Sequence, residues 1–187
     1  MNGLIISGTR ELSQRELFER VQRAASGFHG LGVGDDSAVA LVLRNDFAFF
    51  EAAMAAAMVG AYAVPVNWHF TAEEAGYVIA DCGAKVVVVH ADLLPHIVSG
   101  IPDGVTVFVV PTPPEIRVAY DVDPAHGEVP AGRTDWNTWV AGHPAWTEPP
   151  KPARGNMIYT SGTTGRPKGV RREPATPEML QIMARMV

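Results

Sequence analysis

"AVALVLRNDFAFFEAAMAAAMVGAYAVPV", residues Ala38–Val66, is the stretch on which the fold turns. Its first six residues, Ala38–Leu43, are apolar without interruption, as in a strand covered on both faces. Asn45 or Asp46 can cap the helix that follows. That helix, "FAFFEAAMAAAMVG", is apolar nearly all round, which predicts deep burial. A second short apolar run, Ala61–Val66, closes the stretch. Strand, helix and strand in succession make a βαβ unit with parallel strands.

The same alternation continues outward. Downstream, "TAEE" at Thr71 is a capping box that opens a helix to about Asp81, with Gly83 as its stop. "KVVVVH" (Lys85–His90) and "VTVFVV" (Val105–Val110) read as a third and a fourth strand, with a short helix near Leu93–Val98 between them. Upstream, "SQRE" at Ser13–Glu16 is another capping box. Leu17, Val21, Ala24, Phe28 and Leu31 follow at steps of three and four and form one apolar stripe. Gly30, Gly32 and Gly34 end that helix. From Pro111 to Gly155 the chain is rich in proline, with a weak helical signal at Trp136–Val140, and reads as a surface excursion or flexible linker. "NMIYT" (Asn156–Thr160) is the fifth strand. The expectation is a three-layer α/β domain. Its mostly parallel sheet is flanked by helices, with strands near 38–43, 61–66, 85–90, 105–110 and 156–160.

Composition narrows the function classes. The chain has 187 residues, 47% hydrophobic and 19% charged, with a net charge of -5. A domain of that length buries roughly 70% of its unfolded surface. Mild acidity argues against a nucleic-acid partner, which favours a basic face. The single cysteine, Cys82, has no internal disulfide partner and fits a reducing compartment. No apolar run reaches the ~18 residues of a membrane span. The start, "MNGLIISGTRELSQ", lacks the regions of a secretion signal. A cytoplasmic protein without a transmembrane segment is expected.

The fifth strand runs directly into "YTSGTTGRPKGV", Tyr159–Val170. A glycine-rich loop after a parallel strand is where α/β folds bind ligands. Gly162, Gly165 and Gly169 let the backbone approach a ligand and turn its amides inward. Ser161, Thr163 and Thr164 add hydroxyls, and Lys168 adds a positive charge. The set suits a polyphosphate; a solvated turn uses the same residue types, and composition leaves both readings open. The spacing excludes a Walker loop, because Gly162 is followed five residues later by Pro167 and Lys168 by Gly169. Pro167 biases Arg166 away from helix.

"YTSGTTGRPKGV" resembles the phosphate-binding loop of the adenylate-forming superfamily, which includes acyl-CoA synthetases, luciferases and peptide-synthetase adenylation domains. "LSQRELFERVQRAASGFHGLGVGDD" and the block containing "GAYAVPVN" are similar to the segments that precede that loop in the family. "NWHFTAEE" and "DCGAK" are closest to fatty acyl-CoA ligases. The resemblance covers most of Glu11–Val170 and is weakest in the proline-rich stretch. It implies a two-step reaction: a carboxylate attacks the α-phosphate of ATP, and coenzyme A then displaces AMP. It also implies that Thr160, Ser161, Thr163, Thr164 and Lys168, with the amides of Gly162 and Gly165, hold the β- and γ-phosphates of ATP. Magnesium would accompany ATP, with fatty acid and CoA as the other substrates.

The family's later motifs are absent, among them its magnesium-binding glutamate, ribose-binding aspartate and lid lysine. No catalytic or metal-binding residue is therefore assigned within this chain. The resemblance implies the N-terminal portion of such a ligase, unable by itself to form an acyl-adenylate. Residues 1–34 would carry an early helix that in the family packs on a later subdomain. Residues 35–187 would form an α/β subdomain ending in the loop (159–170) and a cut helix, for which Thr176 is the cap, Pro177 the first helical residue and Glu178 part of the first turn. "RREPATPE" departs from the family where a histidine-containing segment is common. The alternative is a truncated, non-catalytic relative used for binding or oligomerisation. Without the later subdomain, the stripe of Leu17, Val21, Phe28 and Leu31 is expected to lack cover and to favour a homo-oligomer.

Other notable residues have plainer readings. Cys82 is expected to be a small buried residue, not a nucleophile. Trp68 and His69 are expected in a packed loop. His90 and His96 lack metal-ligand spacing with a third ligand. The spacing of Trp136 and Trp139 suggests anchoring to the sheet.

Overall fold

The computed structural model describes residues 3–152, 154–160 and 166–174. The chain opens with an antiparallel hairpin of β1 (Leu4–Ser7) and β2 (Arg10–Ser13), which leads into α1 (Gln14–Gly30). Then follow β3 (Ala38–Val42), α2 (Phe47–Met58), β4 (Tyr62–Pro65), α3 (Ala72–Asp81) and β5 (Ala84–His90). After them come α4 (Leu94–Ile97), a 3-10 turn at Val98–Gly100, and β6 (Thr106–Val110). The proline-rich stretch holds α5 (Pro114–Ala119), a 3-10 turn at Pro124–His126, β7 (Thr134–Asp135) and α6 (Trp136–Ala141). A second hairpin, β8 (Ile158–Thr160) and β9 (Lys168–Val170), ends the described elements.

The main sheet has the order β4-β3-β5-β6-β7, with every pair parallel. Alternate residues of its strands enter opposite layers. Val39, Leu41, Val86 and Val88 pack with α1, α2 and α6 on one face. Ala38, Ala40, Val42, Val87 and Val89 pack with α3 and α4 on the other. The three-layer α/β fold is therefore as the alternation predicts. Both capping boxes are formed: Ser13 with Glu16, and Thr71 with Glu74. α2 is less uniformly buried than its composition predicts, since Phe50 and Met54 are 43% and 40% exposed.

Three expectations need correction. The apolar stripe of α1 is covered by its own chain. Leu17, Val21, Ala24 and Phe28 are buried against α2 and α6, and only Leu31 is partly exposed. The Phe28 ring lies 5.8 Å from Trp136 and 5.6 Å from Trp139, centroid to centroid. The proline-rich stretch is accordingly part of the core, not a linker. Its Trp136, Val140 and Trp146 are buried, and its backbone is tied back by Trp146 N to Gln22 O (3.0 Å) and Lys151 N to Met58 O (3.0 Å).

The third correction concerns the fifth strand. Residues 156–160 do not extend the parallel sheet beyond one bridge, Asn156 to Ala63, in which Met157 N donates to Ala63 O (2.9 Å). Proline chemistry explains the stop. Tyr62 and Val66 donate toward β3, so Ala63 and Pro65 face the other way, toward Asn156–Ile158. Pro65 has no N–H to continue that ladder. Residues 158–160 pair instead with Lys168–Val170, antiparallel.

Candidate phosphate-binding hairpin and strand-end crevice

The root of the loop is the β8–β9 hairpin beside β4. Its register sets Ile158 opposite Val170, Tyr159 opposite Gly169 and Thr160 opposite Lys168. Directly opposed residues have Cβ atoms about 5 Å apart, so Thr160 and Lys168 stand side by side where the loop begins and ends. Both are exposed. Ser161, Gly162, Thr163, Thr164 and Gly165 lie outside the described residues, as does the helix expected from Thr176 onward. The parallel bridge at Asn156 directs the chain toward the carboxyl-terminal end of the sheet, where α/β folds carry ligands.

α3 holds both limbs of the hairpin. The Tyr159 hydroxyl donates to Asp81 Oδ2 at 2.5 Å, and burial together with that bond pushes the phenol pKa up. The Tyr77 hydroxyl donates to Pro167 O at 3.1 Å. The Arg166 guanidinium stands 5.1 Å from the centre of the Tyr77 ring. Gly169 is required where it sits: a Cβ there would fall 2.7 Å from the Tyr159 ring.

A second polar arrangement occupies the carboxyl-terminal ends of β3, β5 and β6. Arg44, just after β3, is 7% exposed, and its guanidinium packs over the rings of both Trp68 (4.7 Å) and Tyr120 (4.5 Å), which meet edge to face. Its Nη1 donates to Asp92 Oδ1 at 3.0 Å and lies 2.8 Å from Oδ2 in the ion pair, and Thr112 Oγ1 donates to Asp92 Oδ1 at 2.6 Å. Arg44 Nε is buried without a hydrogen-bond partner. The Arg44 backbone N–H donates to His90 Nδ1 (3.2 Å). That leaves the proton of a neutral imidazole on Nε2, 3.5 Å from Asp46 Oδ2. Arg10 Nη2 bonds the other Asp46 oxygen at 2.5 Å. Burial works to raise the Asp46 pKa, but the bonds from His90 and Arg10 outweigh it and hold the carboxyl below its ordinary value. The Asp46 side chain consequently makes no cap to α2.

This cluster backs a cavity of about 490 Å³ lined by Arg44, Trp68, His69, Phe70, Asp92 and His96 among others. Strand order explains its position. β3 and β5 are neighbours in the sheet, but β3 connects onward to β4 on one side and β5 to β6 on the other, so the two connections diverge and open a crevice at the strand ends. Neither Arg44 nor Asp92 stands out in the sequence. The available signal was charge placed immediately after buried apolar strands, in "RND" and "HAD". Trp68 and His69 stack on each other, with ring centroids 3.5 Å apart, as a packed loop predicts. Cys82 is buried, and burial pushes its thiol up to about 11, which makes it a poor nucleophile at neutral pH.

Among the described residues, no group of three His, Cys, Asp or Glu side chains is placed to hold a metal ion. Of the loop residues that are described, Thr160 offers a hydroxyl and Lys168 an ammonium, both exposed. No helix among the described residues is long and apolar enough to cross a membrane.

The AMP-binding enzyme family matches this chain over residues 3–174, nearly its whole length. The chain belongs to that family. Its relatives include the medium-chain acyl-CoA ligase Mig of Mycobacterium avium, 27% identical over 89% of this chain and 32% of that protein. The crotonobetaine/carnitine–CoA ligase of Proteus mirabilis is 31% identical over 86% of this chain and 30% of that protein. The chain thus spans about a third of the length of the curated relatives it matches. Among solved structures, an anthranilate CoA ligase in complex with anthranoyl-AMP aligns over 89% of this chain and 30% of that one, at 25% identity and a TM-score of 0.71. A long-chain-fatty-acid CoA ligase structure from Rhodopseudomonas palustris, at 21% identity, covers 95% of this chain with a TM-score of 0.68. The fold is that of the N-terminal portion of the adenylate-forming acyl-CoA ligases.

Proposed function

We propose that this chain is the triphosphate-binding portion of an ATP-dependent acyl-CoA ligase acting on a fatty acid. The observation that carries the reading is the hairpin that sets Thr160 beside Lys168 at the root of "TSGTTGRPK", at the ligand-binding end of the sheet. In the first half-reaction the substrate carboxylate attacks the α-phosphorus of ATP, and the bond to the bridging oxygen of pyrophosphate breaks. Lys168, the hydroxyls of Thr160, Ser161, Thr163 and Thr164, and the amides of Gly162 and Gly165 orient the triphosphate and stabilise the charge that pyrophosphate carries away. Magnesium would bind with the nucleotide and share that charge. In the second half-reaction the CoA thiol attacks the acyl carbonyl and AMP leaves.

The medium-chain ligase and a fatty acid–[acyl-carrier-protein] ligase of Streptomyces coeruleorubidus among the relatives support a fatty acid as the substrate class. Feruloyl and crotonobetaine/carnitine ligases match over a similar share of the chain, so the likeness does not single out one acid. ATP and CoA as substrates support a cytoplasmic location. In a full-length ligase, the outer face of residues 1–34 would meet the later subdomain. For the alternative, a truncated non-catalytic relative used for binding or oligomerisation, the α1 stripe no longer supplies a motive to oligomerise, because α2 and α6 cover it.

Calorimetry tests the reading. Pyrophosphate and ATP are expected to bind weakly, on the order of millimolar, and Lys168→Ala to remove the binding. The chain alone is expected to release no pyrophosphate from ATP with any fatty acid. The absence of pyrophosphate binding at high concentration would defeat the phosphate-site reading.

A further inference from the structure

The hairpin that carries Thr160 and Lys168 joins β4 of the main sheet through one backbone bridge, the buried Met157 just before it, and a bond from the Tyr62 hydroxyl to Arg172 O just after it (2.9 Å). One face of α3 holds both of its limbs. Tyr77 and Asp81 are four residues apart and therefore neighbours on that face. Asp81 takes the Tyr159 hydroxyl from the strand that leads into the loop. Tyr77 takes the carbonyl of Pro167 at the point where the chain returns. The opposite side of α3 is anchored in the core by Ala75, Val78 and Ile79, so the face is a rigid mount. Gly169 allows the Tyr159 ring to lie flat on the returning strand, locking the two limbs to each other as well as to α3.

We propose that Tyr77 and Asp81 are positioning residues for the phosphate site: they clamp both limbs of the β8–β9 hairpin and so hold Lys168 and Thr160 ready for a polyphosphate. The proposal rests on the phosphate reading of the loop and assigns that site a second set of residues, outside the loop motif. Neither residue touches phosphate. Each acts by reducing the backbone freedom that binding would otherwise have to remove.

The test uses the full chain and two readouts. Amide hydrogen exchange without ligand reports whether α3 holds the hairpin. Tyr77→Phe and Tyr159→Phe each delete one hydroxyl with little change in packing. Together they are expected to speed exchange across residues 158–160 and 168–170 and leave the core of the sheet unchanged. Calorimetry with pyrophosphate then reads the consequence. The double variant is expected to bind about tenfold more weakly, the size of one or two lost hydrogen bonds, with an unchanged melting temperature. Asp81→Asn, which keeps an acceptor for Tyr159, is expected to stay near wild type, whereas Asp81→Ala weakens binding. Val118→Ala, on an exposed side chain of α5, serves as the control. Unchanged exchange in the double variant would overturn the clamp. Faster exchange with unaltered pyrophosphate affinity would reduce it to a structural contact and overturn the positioning role. If wild-type chain gives no pyrophosphate signal, the phosphate reading fails and the positioning role with it, while exchange still reports whether the clamp exists.

Discussion

The α1–α2–α6 layer and the β8–β9 hairpin attach to the same sheet by opposite means. The layer is held by apolar and aromatic burial around one polar centre. Trp136 and Phe28 are fully enclosed. Glu51, 3% exposed, accepts from Trp136 Nε1 at 2.8 Å and from Arg20 Nε at 2.5 Å and Nη2 at 2.9 Å. The hairpin has one parallel bridge, two hydroxyl bonds to α3 and one hydroxyl bond from Tyr62 of β4 to Arg172 beside it. Burial of large side chains contributes a few kcal/mol each, whereas a hydrogen bond adds about 1. Local opening should therefore begin at the hairpin, and global unfolding should await loss of the layer. On the proposed reading, the site that must admit and release a charged ligand sits on the weaker attachment.

The largest expected effect is at the centre of the strong region. Trp136→Ala removes a fully buried indole and deprives Glu51 of a donor. We expect a loss of about 3–5 kcal/mol, read as the shift in a urea unfolding midpoint. A loss below about 1 kcal/mol would mean that α6 does not belong to the cooperative unit, and the contrast between the two regions would break.

Asp46 comes next, and it gives the strong region a pH dependence. Its folded pKa lies below the ordinary carboxyl value of 3.8, because His90 and Arg10 bond the ionised form. Its contribution is therefore full above pH ~4, where the unfolded group is ionised, and is lost as pH falls through the lower folded value. Asp46→Asn should cost about 1–3 kcal/mol at pH 7 and flatten the decline in stability below pH 4. An acid profile that keeps its slope in the variant would assign the decline to other carboxylates.

Gly169→Ala has a smaller, local effect. The new Cβ meets the Tyr159 ring, which Asp81 holds from the other side, so the hairpin must shift. We expect faster hydrogen exchange at 158–160 and 168–170 and a global midpoint moved by less than about 0.5 kcal/mol. Equal losses in local and global stability would show that the hairpin unfolds only with the core.

The difference between the regions also explains what could be read in advance. β3, β4, β5 and β6 are legible because a strand covered on both faces is apolar along most of its length, and the sequence shows four such runs, with polar residues only at or near the ends, at Lys85, His90 and Thr106. Residues 111–155 mislead because proline marks a loop and the first turn of a helix alike. Pro114 instead starts α5 at the first helical position, where a missing N–H costs nothing. Trp136 signalled the core more truly than the prolines around it signalled a linker. The β1–β2 hairpin went unread because Leu4 and Ile6 face outward and each strand has only four residues. At the site, Thr160 and Lys168 were named by the loop motif, which is local in sequence. Their placement depends on Tyr77, Asp81 and the missing N–H of Pro65, contacts between segments some 80 to 100 residues apart, and periodicity carries no trace of those. The Arg44–Asp92 crevice depends on strand order for the same reason.

The smallest expected effect on stability is at Lys168, and it separates the two regions most sharply. Its side chain is exposed at the root of the loop, opposite Thr160, and no described ion pair uses it. Removing the charge takes nothing from the core or from the bonds that α3 makes to Tyr159 and Pro167. Lys168→Ala should therefore leave the unfolding midpoint and the hairpin's hydrogen exchange where they were, and still abolish pyrophosphate binding. The reason is electrostatic: a polyphosphate brings several negative oxygens to a small surface, and a neighbouring cation offsets their repulsion in a way that a neutral hydroxyl cannot. The binding that remains in wild type should weaken as ionic strength rises. Lys168→Arg, which keeps the charge but changes its shape, should retain part of the affinity. Pyrophosphate binding that survives Lys168→Ala unchanged would mean that the anion is held elsewhere, and the crevice around Arg44 would be the next place to look.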